Sequence, residues 1–135
     1  MKRLPLMFFA ALAGVLTVGP ALFAHHGAAA YANNLQVMKE AAVTKFVWAN
    51  PHCIVLFDVK DDKGVASHWA AEAGSPSAIT LLGWTRNSLQ PGDVITVYLY
   101  PAKSGNTVGR LNKIVLADGK TLKDSQLGGD TSKDQ

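Results

Sequence analysis

The sequence has a single cysteine, Cys53, so it cannot form an intramolecular disulfide. Its fold must therefore be stabilised by its core. The sequence also lacks a glycine-rich phosphate loop and a serine and histidine in a recognised catalytic motif. These absences disfavour an enzyme and favour a protein that binds without transforming its ligand.

No hydrophobic run is long enough for a membrane span. The apolar segment 4–19, "LPLMFFAALAGVLTVG", follows Lys2 and Arg3 and is shorter than the roughly 20 residues that cross a bilayer. A small residue, Ala24, then provides a cleavage point. The pattern predicts a cleaved signal peptide at residues 1–24, export to the periplasm and no stable membrane anchor after processing.

Removal of this leader changes the charge of the chain. The full sequence carries 13 basic and 10 acidic residues, but two of the basic residues lie in the leader, so the mature net charge is +1. A chain without a basic stripe is a poor nucleic-acid partner. The 111 mature residues suffice for one domain, predicted at 25–122, followed by a disordered polar tail at 123–135.

The remaining patterns predict a mainly β protein. Ser75 suits a helix N-cap, Pro76 the first helical position and Gly83 the end of a helix of about two turns. Alternating apolar residues predict five strands, at residues 40–50, 52–60, 65–73, 94–100 and 108–116. Three strands, a short helix and two strands is the order of a five-stranded OB-like barrel.

One hairpin has a register that can be predicted from its turn. Asp62, Lys63 and Gly64 form a three-residue hairpin loop with glycine at its third position, which places Asp61 opposite Val65. Opposed residues of the second and third strands then share one face of the sheet. The polar face contains His52, Asp58, His68 and Glu72, and the core face contains Cys53, Val55, Phe57, Trp69 and Ala71.

Several motifs together resemble a family of small exported bacterial proteins of unassigned function. They are "HHG" after the signal peptide, "VWANPH", "HWAAEAGSPSAI", "GWTRNSLQPGDVITV" and "VLADGKTL", which cover roughly residues 25–122. This chain has Gly27 where the family usually has serine, and Cys53 where a bulkier residue is more usual. The resemblance implies an exported barrel and supplies no catalytic residues.

The predicted mature N-terminus is a candidate metal site. Cleavage after Ala24 gives a free α-amine and the His25 ring, which together can chelate Cu(II), with His26 or the distant His52 as a further ligand. Cleavage one residue earlier would give Ala-His-His, a different copper site, but bulky Phe23 disfavours that cut. Paired terminal histidines are also often solvated and incidental, so both interpretations stay open.

The alternative is a ligand- or protein-interaction barrel without metal, with another envelope protein as its partner. Its predicted binding face lies on strands one to three around Trp48, His52 and Glu72. His52 at a strand end is also typical of a ring that hydrogen-bonds to backbone, and Glu72 is either a buried acid or an exposed strand residue. His68 and Asp58 are expected to form a cross-strand polar pair.

Overall fold

A computed structural model describes residues 27–124 of the chain. The predicted signal peptide, His25, His26 and residues 125–135 lie outside the described residues. A short 3-10 helix, Ala28–Ala30, precedes six strands and one α-helix. These are β1 (Gln36–Val47), β2 (Ile54–Lys60), β3 (Ala66–Glu72), α1 (Pro76–Thr80), β4 (Val94–Pro101), β5 (Val108–Val115) and β6 (Thr121–Lys123).

The strands form a closed barrel. Their order is β3-β2-β1-β4-β5-β6, and a parallel pairing of β3 with β5 joins Ala70 to Val108 and Glu72 to Arg110. The five barrel strands, with α1 between β3 and β4, confirm the predicted mainly β, OB-like architecture. Within residues 27–124, no helix has the length and apolar character needed to span a bilayer.

Strand β1 differs from its predicted bounds. It begins at Gln36, four residues before the predicted start, and ends at Val47 instead of residue 50. Its first half pairs mainly with β4 and its second half with β2, with register shifts that mark bulges in both pairings. Glu40 has a φ of 53° within the irregular part of the β4 pairing. The strand is long because it serves two partners, a demand that local alternation does not reveal.

The β2–β3 hairpin has the predicted register. Asp61 and Val65 close the turn through the Asp61 N–H, which donates to the Val65 carbonyl at 3.0 Å. Gly64 has a φ of 79°, the left-handed conformation that this loop requires. Ile54 faces Glu72 and Asp58 faces His68. The hairpin therefore sorts polar side chains outward and apolar side chains into the barrel.

The helix after β3 is shorter than predicted. Its N-cap is Ser75, whose hydroxyl accepts from the Ala78 N–H, and Pro76 occupies the first position, both as expected. Helical structure ends at Thr80, while Gly83 takes the predicted left-handed conformation with a φ of 91°. Residues 81–83 form a turn that leads to the buried Trp84.

The barrel continues into the predicted polar tail, so the predicted tail start at residue 123 was wrong. Lys123 is the last residue of β6, and its carbonyl accepts from the Trp84 indole N–H at 2.8 Å. Asp124 is only 3 % exposed and accepts from the Gly74 N–H at 2.7 Å. A carboxylate can be buried here because it satisfies a buried backbone donor. The rest of the predicted tail lies outside the described residues.

The core fills the barrel and the space beneath α1. The predicted core face of the hairpin is confirmed, with Trp69 only partly buried at its margin. The largest fully buried side chains are those of Trp84, Phe57, Ile79, Leu99, Leu111 and Ile114.

Candidate functional site

His52 lies at the entry to β2, directly after Pro51. Its Nδ1 is 3.1 Å from the Ala73 carbonyl oxygen at the end of β3. A carbonyl only accepts hydrogen bonds, so Nδ1 carries the proton and donates it. The predicted backbone hydrogen bond of a strand-end histidine is therefore confirmed, and it places a proton on Nδ1 and fixes the ring orientation.

The opposite ring nitrogen of His52 faces Glu72. Its Nε2 lies 3.5 Å from Glu72 Oε1, and the two side chains are 34 % and 38 % exposed. The predicted hairpin register accounts for this contact, because Ile54 lies opposite Glu72 and His52 is two residues before Ile54 on the same face. Two sequence-predicted site residues are thus brought together at the end of the hairpin.

A cation and an aromatic ring lie on the same face of the barrel as Glu72. Arg110 on β5 is paired with Glu72 on β3 and with Tyr100 on β4. Paired residues of neighbouring strands point to the same side of a sheet, so all three side chains share one face. The Arg110 guanidinium carbon lies 5.2 Å from the centre of the Tyr100 ring, within cation–π range. The Arg110 Nε is buried and has no hydrogen-bond partner among the described residues.

The chain just after the predicted mature N-terminus is bound to this side of the barrel. Ala32 donates to the Pro101 carbonyl at 2.8 Å, and Lys103 donates to the Ala30 carbonyl at 3.0 Å. Tyr31 between them is only 8 % exposed. Burial raises the pKa of the Tyr31 hydroxyl, the negative charge of Glu72 raises it further, and the positive charge of Arg110 opposes both. Tyr31 therefore lies within electrostatic range of the Glu72 and Arg110 charges.

Trp48, the third residue of the predicted binding face, has a different environment. Its ring packs edge-on against Phe46 with centroids 5.8 Å apart, and Phe46 in turn packs against Trp84 at 5.6 Å. Trp48 also packs against the core cluster. Its aromatic contacts are thus with the core, whereas His52 and Glu72 lie on the outer face.

Cys53 follows His52 but points the other way. Its side chain is fully buried in the core. Burial raises the pKa of the thiol, a hydrogen bond from the Ala49 backbone opposes that rise, and the charge of Asp124 adds to it. A buried, protonated thiol is a poor nucleophile and a poor metal ligand.

The second predicted polar pair lies further along the hairpin. His68 Nδ1 is 2.5 Å from Asp58 Oδ1, with side-chain exposures of 83 % and 31 %. The expected cross-strand pair is therefore present. Here the carboxylate itself contacts Nδ1, so the pair is complete without a third group.

The chemistry available at the His52–Glu72 pair is that of a partial cation site. An imidazole nitrogen and a carboxylate oxygen are both ligands for divalent first-row metals. Within residues 27–124, no group of three or more histidine, cysteine, aspartate or glutamate side chains is arranged to hold a metal ion. The predicted copper site would draw further ligands from His25 and His26, which lie outside the described residues.

Three residues near functional or buried positions were not predicted from the sequence. No sequence pattern singled out Tyr31, and Arg110 was predicted only as part of the strand at residues 108–116. The alternation of β5 could have indicated that Arg110 points outward, but the parallel β3–β5 pairing that joins it to Glu72 depends on barrel closure. Asp124 had no signal, since its partner Gly74 is distant in sequence.

The fold and the site define a class: a small closed β-barrel with a histidine–carboxylate pair at the end of one hairpin. Within that class, the chain belongs to DUF6152, a family of unknown function, whose model matches residues 12–112. The match extends from the predicted leader into β5 and includes His25, His26, His52, Glu72 and Arg110. No curated protein matches the chain. No solved structure matches it either.

Proposed function

We propose that this protein is an exported periplasmic binding protein that holds one Cu(II) ion and does not catalyse a reaction. Its ligands are the α-amine and ring of His25, the ring of His26 and the Nε2 of His52. The hydrogen bond from His52 Nδ1 to the Ala73 carbonyl carries this proposal. Metal-binding histidines usually donate their other ring N–H to a carbonyl or carboxylate, which fixes the tautomer with the second nitrogen available to the metal.

The attachment of residues 30–32 supports a contribution from the N-terminus. These residues pair with the end of β4, which is two strands from Glu72 across β5. Two strand spacings amount to roughly 10 Å. A linker from Tyr31 to His25, even with a 3-10 helix that rises about 2 Å per residue, can extend for roughly 15 Å. The reach of the chain is therefore sufficient for His25 and His26 to meet His52.

The test uses the untagged exported protein, because a tag or retained leader would remove the free α-amine. Intact mass gives the mature start, and Cu(II) is then titrated against a chelator of known affinity. We expect a chain that begins at His25 and binds one Cu(II) more tightly than a free His-His-Gly peptide. Replacing His25 and His26 by alanine should abolish that binding.

Two results would contradict the proposal. One is a peptide-like affinity in the folded protein, which would mean that the barrel contributes no ligand. The other is tight, stoichiometric binding that survives in the His25→Ala/His26→Ala variant. Either result would direct attention to the outer face of β2 and β3 as a surface for a ligand or an envelope partner.

A further inference from the structure

We infer that the protein binds a zwitterionic amino acid with a large apolar side chain in a cleft between β1 and β2. The juxtaposition that carries this inference is an outer part of the cleft with charges of both signs, which adjoins an inner part with an apolar wall. Lys39 and Lys60 line both parts. The cleft lies at the other end of the β2–β3 hairpin from His52 and Glu72, so the inference is independent of the proposed copper site.

The cleft arises where β1 changes its pairing partner. Strand β1 pairs with β2 only as far as Ala42, which lies opposite Asp58. The first half of β1 pairs with β4 instead, so it separates from the last residues of β2. Glu40, with its φ of 53°, lies in the irregular part of that pairing. Bulges of this kind re-aim a side chain and are common beside functional sites.

The outer part of the cleft has a volume of about 350 Å³ and is lined by Lys39, Glu40, Ala42, Asp58, Lys60 and Ala66. Within residues 27–124, each ion pair involves a histidine, and none joins a lysine to Glu40 or Asp58. Asp58 contacts His68 through Oδ1 and has a second carboxylate oxygen. A zwitterion can therefore place its carboxylate beside the lysines and its ammonium beside the acids, with charge-assisted hydrogen bonds to both.

The inner part of the cleft, about 300 Å³, has an apolar wall formed by Met38, Val59 and Trp69. Met38 is buried, and the other two are partly buried against the core. The Trp69 indole N–H donates to the Ser67 hydroxyl at 3.2 Å, and that hydroxyl donates to the Val59 carbonyl at 3.3 Å. These hydrogen bonds orient the indole, so its ring is an apolar surface for a ligand side chain.

The two parts together select a ligand with both charges and an apolar body. An amine alone would meet the two lysines, and a carboxylate alone would meet the two acids, so each would experience a like charge that nothing offsets. A small zwitterion such as glycine would leave the apolar wall in contact with water. Both volumes are at the lower end of the roughly 300–1,000 Å³ usual for small-molecule sites, which suits a single amino acid.

The test titrates the processed, ¹⁵N-labelled protein with L-phenylalanine in the absence of Cu(II) and follows the backbone amides by NMR. Saturable shifts are expected at residues 38–42, 58–60 and 66–69. Three matched probes each lack one feature: phenethylamine lacks the carboxylate, 3-phenylpropanoate lacks the ammonium, and glycine lacks the apolar side chain. Each should bind at least about fivefold more weakly than L-phenylalanine, since an exposed ion pair contributes up to about 1 kcal/mol.

Two pairs of variants locate the charges that bind the ligand. Lys60→Gln and Glu40→Gln each remove one charge from the outer part, and each should weaken L-phenylalanine binding by about threefold or more. Lys63→Gln and Asp62→Asn remove the same charges from the adjacent turn, where neither side chain lines the cleft. These two controls should bind like the wild type. The amide spectrum without ligand verifies that every variant is folded.

Three results would overturn the inference. The first is the absence of saturable shifts at the cleft amides with L-phenylalanine. The second is equally tight binding of phenethylamine or 3-phenylpropanoate, which would mean that the cleft recognises only one charge. The third is an equal loss in Lys60→Gln and Lys63→Gln, or in Glu40→Gln and Asp62→Asn, which would reflect general surface charge.

Discussion

Two histidine–carboxylate pairs lie on the same face of the β2–β3 hairpin and differ in which group contacts the ring Nδ1. In one pair the carboxylate of Asp58 contacts Nδ1 of His68. In the other, the Ala73 carbonyl accepts from Nδ1 of His52, and Glu72 faces Nε2 instead. In the first pair the carboxylate is the partner of Nδ1, whereas in the second a backbone carbonyl is that partner and the carboxylate lies beside Nε2. The backbone partner, more than the pair of residue types, determines which ring nitrogen faces the carboxylate.

The position of each pair in the barrel explains this difference. His68 lies within β3, where neighbouring backbone groups are used in strand pairing. His52 lies before β2 begins, where the chain enters from the Asn50-Pro51 turn and the end of β3 is close enough for a side chain to reach its carbonyl. The charges of Glu72 and Arg110, which are register partners, both act on Tyr31 in the attached segment. Strand ends thus combine groups from several elements, which the middle of a hairpin does not.

The difference between the two histidine–carboxylate pairs is tested most directly by replacing each histidine in turn. If the proposed function holds, His52→Ala should reduce Cu(II) affinity by at least about a hundredfold, or roughly 2.7 kcal/mol, because it removes the imidazole proposed as the barrel's ligand. His68→Ala should leave the affinity unchanged. Chelator competition on the processed protein measures both. Equal losses in the two variants would show that the hydrogen bond to Ala73 does not distinguish the pairs.

The second prediction concerns a substitution in the β3–β5 pairing that closes the barrel beside Glu72. A Cβ at Gly109 would lie 2.6 Å from Leu99 Cδ1 and 2.9 Å from the Tyr100 carbonyl oxygen. Gly109 pairs with Ala71 in the β3–β5 closure. We expect Gly109→Ala to lower the free energy of unfolding by about 1 to 3 kcal/mol, the usual effect of overpacking. Cu(II) affinity at the proposed site should also fall, because this closure positions the end of β3, where the Ala73 carbonyl holds the His52 ring.

Urea unfolding and copper titration below the unfolding midpoint measure these two effects. Gly27→Ala is the stability control, since a Cβ there meets nothing within 4 Å. A destabilised Gly109→Ala variant that keeps wild-type copper affinity would mean that the site depends on the β2–β3 hairpin alone. Unchanged stability would contradict the steric argument itself.

The hairpin was predictable from the sequence because its determinants are local. Gly64 fixes the turn, the turn fixes the register, and the register places Asp58 opposite His68. The prediction failed where contacts between residues distant in sequence determine the bounds of the strands and of the barrel. Strand β1 begins early because it pairs with two partners, and Asp124 belongs to the barrel because Gly74 requires an acceptor.

The candidate site likewise has one part that local sequence predicts and one part that depends on distant contacts. The proximity of His52 to Glu72 follows from the hairpin register, which the sequence contains. The approach of Arg110 and Tyr31 requires the parallel β3–β5 pairing and the attachment of the N-terminal segment to β4. Neither leaves a periodic signal in the sequence. The packing of the partly buried Trp48 ring against the core was not predictable for a related reason, because it depends on Phe46 and the distant Trp84.

The smallest expected effect concerns the His68–Asp58 pair. Because His68 is 83 % exposed, its interaction with Asp58 is weakened by solvent. A double-mutant cycle with Asp58→Asn and His68→Ala should give a coupling energy of about 0.2 to 1 kcal/mol, which falls as salt is added. Urea unfolding without Cu(II) measures it. A coupling energy that changed when Cu(II) was added would show that the metal interacts with this pair as well, and the contrast between the two pairs would not hold.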